Sequence, residues 1–190
     1  MKVRHIILLL LLFFTTGAVN AQKFAVKSNL LSAVNGSLNA GVEYAVGTKY
    51  TVELTGSVRP WDRKEKYVNR YWYAQPEFRY WTCQKFNGHF FGAYMNGGEF
   101  NVGGKKLIFG MFPALNEHRY EGWLIGAGMT YGYHWMLDRH WNIETSVRVG
   151  YEYVNYDKYK CPRLCAKHLK ADHTHYVGPT SAAISIVYLF

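Results

Sequence analysis

Trp123, Ile125, Ala127, Met129, Tyr131, Tyr133 and Trp135 occupy the odd positions of one segment, and Leu124, Gly126, Gly128, Thr130, Gly132 and His134 occupy the even ones. Successive side chains of an extended chain point to opposite faces. One face of this segment is therefore bulky and apolar, and the other is small. The next segment repeats the scheme more sharply. Trp141, Ile143, Thr145, Val147, Val149, Tyr151 and Tyr153 share one face, against Asn142, Glu144, Ser146, Arg148, Gly150 and Glu152. A sheet in a soluble protein explains one such strand. Aromatics at both strand ends, with charges confined to the opposite face, are the pattern of strands with lipid outside and a polar lumen inside. The expectation is an all-β chain forming an eight-stranded antiparallel up-and-down transmembrane β-barrel.

The N-terminus reads as a secretory leader over residues 1–21. Lys2 and Arg4 precede an apolar run from Ile6 to Phe14, and Val19-Asn20-Ala21 supplies short residues ahead of Gln22. The run is shorter than the roughly 20 residues a spanning helix needs, and no later segment is long and apolar enough to supply one. A membrane location then requires a closed barrel, because open strand edges are not tolerated in hydrocarbon. Residues 22–190 suit one barrel domain of about eight strands of roughly 9–11 residues plus loops. The formal charge is +9, of which Lys2 and Arg4 contribute two. The remaining basic residues are scattered over loops, where they would sit well against anionic lipopolysaccharide. They make no nucleic-acid surface.

Eight strands follow from the alternation. The first is Lys23–Leu31, with Phe24, Val26 and Leu30 outward and Lys27 and Asn29 inward. The second is Ser37–Val46, with Leu38, Ala40, Val42 and Tyr44 outward and Asn39, Gly41 and Glu43 inward. The third is Tyr50–Arg59, where Val52, Leu54, Gly56 and Val58 oppose Thr51, Glu53, Thr55, Ser57 and Arg59. The fourth, Tyr71–Cys83, sets Trp72, Ala74, Phe78 and Tyr80 against Tyr73, Gln75, Glu77, Arg79 and Trp81. Pro76 inside it implies a bulge or a missing ladder bond. The fifth is His89–Phe100, whose facing the pattern leaves open. The sixth and seventh are the pair described above, and the eighth is Tyr176–Phe190, with Ala182, Ile184, Ile186, Tyr188 and Phe190 outward.

The connections alternate in length. Gly47–Lys49, Gln84–Gly88 and Leu137–His140 are tight, whereas Pro60–Arg70, Asn101–Arg119 and Asn155–His175 are long. Short periplasmic turns and longer external loops are the asymmetry of bacterial barrels, with Ser32–Gly36 as the short exception. The even strand count then places both chain termini in the periplasm. The long loops are where binding would reside. Leu107, Ile108, Phe109, Met111 and Phe112 form an apolar patch in the second, suited to docking a partner or capping the barrel mouth.

Four constellations bear on chemistry. Lys27, Glu43, Glu53, Arg59, Glu77, Arg79, Glu144, Arg148 and Glu152 all fall on inward faces. Side chains nearly fill so narrow a bore, and unpaired buried charge is costly, so these groups are expected to interlock as a salt-bridge plug. Tyr188 and Phe190 close the chain with alternate aromatics, similar to the C-terminal insertion signal of outer-membrane barrels, with Ser185 where that signal usually has Gly. Cys161 and Cys165 stand near His168, His173 and His175. A disulfide suits an exported chain, free thiols suit an anaerobic habitat, and zinc could take such ligands; no metal is assigned. Cys83 reads as a buried apolar residue. His134, Ser146 and Glu144 fall on neighbouring inward faces, which raises the alternative of a lipid-modifying enzyme, but a triad needs mutual hydrogen-bond reach. Gly97-Gly98 and Gly103-Gly104 lack the helix and Lys-Ser/Thr pair of a phosphate loop.

Several blocks resemble a known family. Lys27-Ser28-Asn29-Leu30-Leu31, Gly41-Val42-Glu43, Gln75-Pro76-Glu77-Phe78-Arg79-Tyr80-Trp81, Phe86-Asn87-Gly88-His89-Phe90, Arg119-Tyr120-Glu121-Gly122-Trp123, Gly132-Tyr133-His134-Trp135 and Tyr176-Val177-Gly178-Pro179-Thr180 look like the domain-of-unknown-function 3575 family, over essentially all of the chain after the leader. The resemblance implies an outer-membrane barrel of Gram-negative anaerobes, of OmpA/OmpX-like architecture. It implies no activity, cofactor or catalytic residue. An association of some members with fimbrial loci implies a role in assembly or anchoring at the envelope. The expected role is therefore non-enzymatic: a structural or surface-interaction protein of the bacterial outer membrane. Its partners would be membrane lipid and lipopolysaccharide, the barrel assembly machinery and a surface protein. A secreted soluble ligand-binding barrel is the other alternative, and it would reverse the pattern, with apolar residues inside.

Overall fold

The structure is a computed structural model, described over residues 23–61, 68–103, 118–160 and 168–190. The leader, the Cys161 and Cys165 pair and the apolar patch from Leu107 to Phe112 lie outside the described residues. Eight strands run in chain order: β1 (Phe24–Asn29), β2 (Leu38–Ala45), β3 (Tyr50–Arg59), β4 (Val68–Trp81), β5 (Gly88–Gly103), β6 (Arg119–Met136), β7 (Trp141–Tyr159) and β8 (His168–Leu189). Each pairs antiparallel with the next, and β8 returns to pair with β1, so the sheet closes as an up-and-down barrel.

Register fixes the tilt. Ala25 begins a continuous row of partners through Glu43, Glu53, Glu77, Tyr94, Gly128 and Gly150 to Gly178. Across the closing seam, however, Ala25 pairs with Leu189. One circuit therefore climbs eleven positions along β8, one of them absorbed by the register shift opposite Arg148 and Val149. Such a stagger inclines strands by about 40° to the barrel axis.

The facing of the strands follows the alternation throughout. Glu144, Arg148 and Glu152 are buried inside, while Trp141, Val147, Val149 and Tyr151 are exposed outside. Strand β5 turns Phe90, Tyr94 and Phe100 inward and Phe91, Met95 and Glu99 outward. Aromatics therefore occupy both of its faces. Pro76 pairs with Leu54 on β3, but the ladder to β5 passes from Ala74–Gly97 to Glu77–Tyr94 without a shift. The proline costs a ladder bond and makes no bulge.

Four expectations need correction. Leu30 and Leu31 do not extend β1. They open a short helix, α1 (Leu30–Val34), whose N-terminus Asn29 caps by accepting from the Leu31 amide at 3.0 Å. Gly36, at φ 78°, ends the turn, which only a residue without Cβ adopts cheaply. The long connections are shorter than expected, because the ladders continue beyond the apolar stretch. Asn101–Gly103 belongs to β5, and Asn155–Tyr159 and His168–His175 belong to β7 and β8. Strand β4 starts at Val68 rather than Tyr71 and stops at Trp81, so Cys83 falls in the following turn, exposed and with a free thiol.

Strand length rises in order from 6 residues in β1 to 22 in β8. The wall is thus low at β1 and β2 and tall at β6 to β8. Outside, Tyr50, Tyr80, Phe91 and Tyr131 stand in one register row on four consecutive strands. Eight residues further along β4 and β6, Trp72 and Trp123 flank Glu99 in a second row. Between the two rows the outward residues are Phe78, Pro76 and Ala74 on β4, Ala93, Met95 and Gly97 on β5, and Met129, Ala127 and Ile125 on β6. None is charged.

Candidate functional site

The strongest chemistry lies on the barrel axis. The register places Glu43, Glu53 and Glu77 side by side on β2, β3 and β4. Like charges directly opposite one another destabilise a sheet, so this row holds only if cations reach into it. Lys27 on β1 does so, its Nζ lying 2.5 Å from Glu43, 2.8 Å from Glu53 and 3.0 Å from Glu144 on β7. Arg79 on β4 reaches every carboxylate of the cluster. Its Nε is 2.7 Å from Glu77, one terminal nitrogen is 3.2 Å from Glu43 and 3.0 Å from Glu144, and the other is 2.6 Å from Glu53. Arg148 adds a 3.0 Å contact to Glu77, and His134 Nδ1 lies 3.4 Å from Glu144.

Neutral donors add to the shell. Thr51 donates to Glu43, Thr55 to Glu53 at 2.5 Å and Gln75 to Glu77 at 3.2 Å. Two glycines make room for the long side chains. A Cβ at Gly41 would meet Lys27 Cγ at 2.9 Å, and one at Gly92 would meet Glu77 Oε1 at 2.7 Å. Buried ion pairs persist only with this kind of multiple hydrogen bonding, because desolvation of each ion is expensive.

Below the cluster, toward the end where β1 begins and β8 finishes, the bore is apolar. Trp81, Phe86, Phe90, Val187, Leu189, Ala25 and Ala45 form a buried cluster. Trp81 and Phe90 rings lie 4.8 Å apart, and the Arg79 guanidinium covers Phe90 at 4.4 Å from its centroid. Trp81 Nε1 donates to Thr51 at 2.9 Å, which ties the two layers together. Above the cluster, Asn29, Asn39, Thr55, Tyr73, Gln75, Ser146, Ser181 and Ser185 help to line a cavity of about 30 Å³.

All nine inward charges read from the sequence are buried inside, but the structure brings only seven together. Arg59 lies higher, where it donates to the Asn35 carbonyl at 2.6 Å and braces the link after α1. Glu152 also lies apart and accepts from Asn96 at 3.0 Å. Neither touches the plug. His134 and Glu144 are in contact, whereas Ser146 Oγ has no hydrogen-bond partner among the described residues. The serine–histidine bond that a nucleophilic triad requires is absent from this arrangement. His173 and His175 project outward from β8, with rings 5.6 Å apart and with Tyr151 at 2.5 Å from His175 Nδ1. Tyr188 and Phe190 meet at 4.8 Å, and Phe190 reaches Phe24 at 5.8 Å across the seam.

The interior aromatics of β5 were not legible by facing, yet the sequence carries their counterpart. The small even face of β6 is a floor for them. A Cβ at Gly132 would come within 2.3 Å of the Phe90 ring, and Cβ atoms at Gly128 and Gly150 would each come within 2.6 Å of the Tyr94 hydroxyl. Tyr94 lies across those glycines and meets Thr180 Oγ1 at 2.6 Å.

A family model described as a protein of unknown function, DUF3575, matches residues 6–190. The chain belongs to this family. Four of the seven clustered charges, Lys27, Glu43, Glu77 and Arg79, lie in the blocks that carry the DUF3575 resemblance, as do Gln75, Trp81, Phe90 and His134 beside them. A comparison with curated proteins found no match.

Proposed function

We propose that this DUF3575 protein is an outer-membrane β-barrel with a non-enzymatic, structural or surface-interaction role, exported by the leader at residues 1–21. One observation carries the reading: an exterior without charge between the lower aromatic row on β3 to β6 and the Trp72–Glu99–Trp123 row above it, around an interior filled by ion pairs. Eight residues separate the two rows, which for strands tilted about 40° gives roughly 20 Å along the axis. With the aromatic rows included, that matches the apolar band of about 25 Å in barrels of this kind. Charges turned outward at that depth would cost roughly 2–4 kcal/mol each for Arg or Lys, which accounts for their confinement to the bore. A soluble ligand-binding barrel needs the reverse arrangement. The tall β6–β8 wall and the connections above it would face the cell exterior, where a surface partner would be met.

Fractionation tests the proposal. The protein should be recovered from detergent-extracted outer membrane, and the unheated sample should migrate faster on a gel than the boiled one. Recovery as a soluble periplasmic protein with no mobility change would overturn it.

A further inference from the structure

The ladder between β7 and β8 shifts by one position opposite Arg148 and Val149. Below that bulge the even residues of β8 point outward, as Ala182, Ile184 and Ile186 do. Above it the odd residues do, and His173, His175 and Val177 are exposed. A bulge re-aims the side chains beyond it. Without this one, parity would turn both imidazoles toward the barrel axis. His173 partners Asn155, which partners Trp123, and rows of partners climb around the barrel toward β8. The two histidines therefore stand at the level of that indole or above it, open to solvent.

The His173 and His175 rings have centroids 5.6 Å apart and lie nearly perpendicular, at 89°. Two imidazoles bonded to one ion at about 2.0–2.1 Å and a tetrahedral angle have centroids about 5 Å apart, so closing on a metal needs only small rotations. Tyr153, the cross-strand partner of His175, packs against both rings, at 5.9 Å from His173 and 5.3 Å from His175. The Tyr151 hydroxyl lies 2.5 Å from His175 Nδ1. When Nδ1–H donates to it, Nε2 keeps the lone pair that a metal takes, and such an outer hydrogen bond is the usual support of a metal-bound imidazole. The outward positions next to the pair carry no basic residue: they are Tyr151, Tyr153 and Asn155 on β7 and Ala171 and Val177 on β8. Lys170 falls on the other face, held by Asp172 at 2.9 Å. Among the described residues no third histidine, cysteine or carboxylate joins the pair, so water would fill the remaining positions.

We propose that His173 and His175 form a surface chelate for a divalent transition-metal ion that favours imidazole, of the copper(II) and zinc class. The site goes beyond the proposed role and depends on the β7–β8 register rather than on a membrane. The test uses the purified chain without a histidine tag and with Cys83, Cys161 and Cys165 changed to serine, so that thiolates supply no ligand. Titrated with Cu2+ alone, its tightest equivalent should give an electron paramagnetic resonance spectrum with two imidazole nitrogens. Excess Mg2+, which prefers oxygen ligands, should leave that binding unchanged. His173→Ala should weaken it roughly 100-fold, the gain from joining two ligands on one rigid strand, and should leave a one-nitrogen spectrum. Tyr151→Phe should weaken it about tenfold. Circular dichroism should show the same β content in each variant. A tightest equivalent without two imidazole nitrogens, its displacement by Mg2+, or unchanged binding when His173→Ala is combined with His175→Ala overturns the site.

Discussion

Arg79 engages four carboxylates with one planar group, and that geometry makes it the residue most sensitive to replacement. Arg79→Ala would leave Glu43, Glu53, Glu77 and Glu144 to share Lys27, Arg148 and an imidazole, beside a cavity of only about 30 Å³. Breaking a buried pair by removing one partner costs about 3–5 kcal/mol, so the urea midpoint for unfolding from detergent should fall by that equivalent. Arg79→Lys should recover only part of it, because a compact ammonium lacks the spread by which Nε and the two terminal nitrogens together span four carboxylates. Equal midpoints for Arg79→Ala and the parent chain would show that the plug adds nothing to stability. The inward placement of each plug residue was legible because strand periodicity is two, so a residue's parity fixes its face. Parity says nothing about height. Arg59 and Glu152 share the face of the plug yet sit outside it, since depth along the axis is set by the stagger between strands. The same blindness misplaced Cys83, whose character as a buried residue required β4 to run two residues further than it does.

Elements were legible where they cross the apolar band and lost definition beyond it. In the upper part of β7 and β8, Asn155 faces His173, Asp157 faces Ala171 and Lys158 faces Lys170, so polar side chains stand on both faces and the period-two signal disappears. The backbone ladder continues regardless, because hydrogen bonding between strands does not depend on which face meets oil. Strand β5 failed for another reason. Its inward Phe90 and Tyr94 are large because β6 and β7 carry glycine where these rings lie, so the facing of one strand can be read only together with the strands that follow it. Helix α1 was marked by Asn29 and Gly36, a cap and a stop too close together for periodicity to register. The extended hairpin is directly testable. Asn155 and His173 are register partners, and partners on adjacent strands have Cβ atoms about 4.5–5.5 Å apart. With the native cysteines changed to serine, Asn155→Cys combined with His173→Cys should crosslink under mild oxidation. Asn155→Cys combined with Ala171→Cys, two positions away, should crosslink much more slowly. Equal rates would mean that this stretch is loop rather than ladder.

At the scale of the whole barrel, obstruction comes in two layers that act in series. The lower layer is apolar and aromatic, built on Trp81, Phe86 and Phe90, and an ion entering it would lose its hydration with nothing to replace it. The middle layer is ionic, and its charges already satisfy one another, so a permeating ion would have to displace a buried salt bridge to pass. Either layer alone suffices to block the bore. The purified barrel reconstituted in a planar bilayer should therefore show no steady conductance. Phe90→Ala, which thins the aromatic layer, should remain closed because the ion cluster above it is intact. Arg79→Ala alone should also remain closed, because Trp81 and Phe90 still fill the section below. Conductance is expected only when both layers are cut, as in Arg79→Ala combined with Phe90→Ala and Trp81→Ala, provided that variant still shows heat-modifiable migration. A steady open channel in the parent chain would mean that the plug opens in the bilayer. A channel in Phe90→Ala alone would mean that the ionic layer is permeable, and with it the view of these charges as mutually locked would fall.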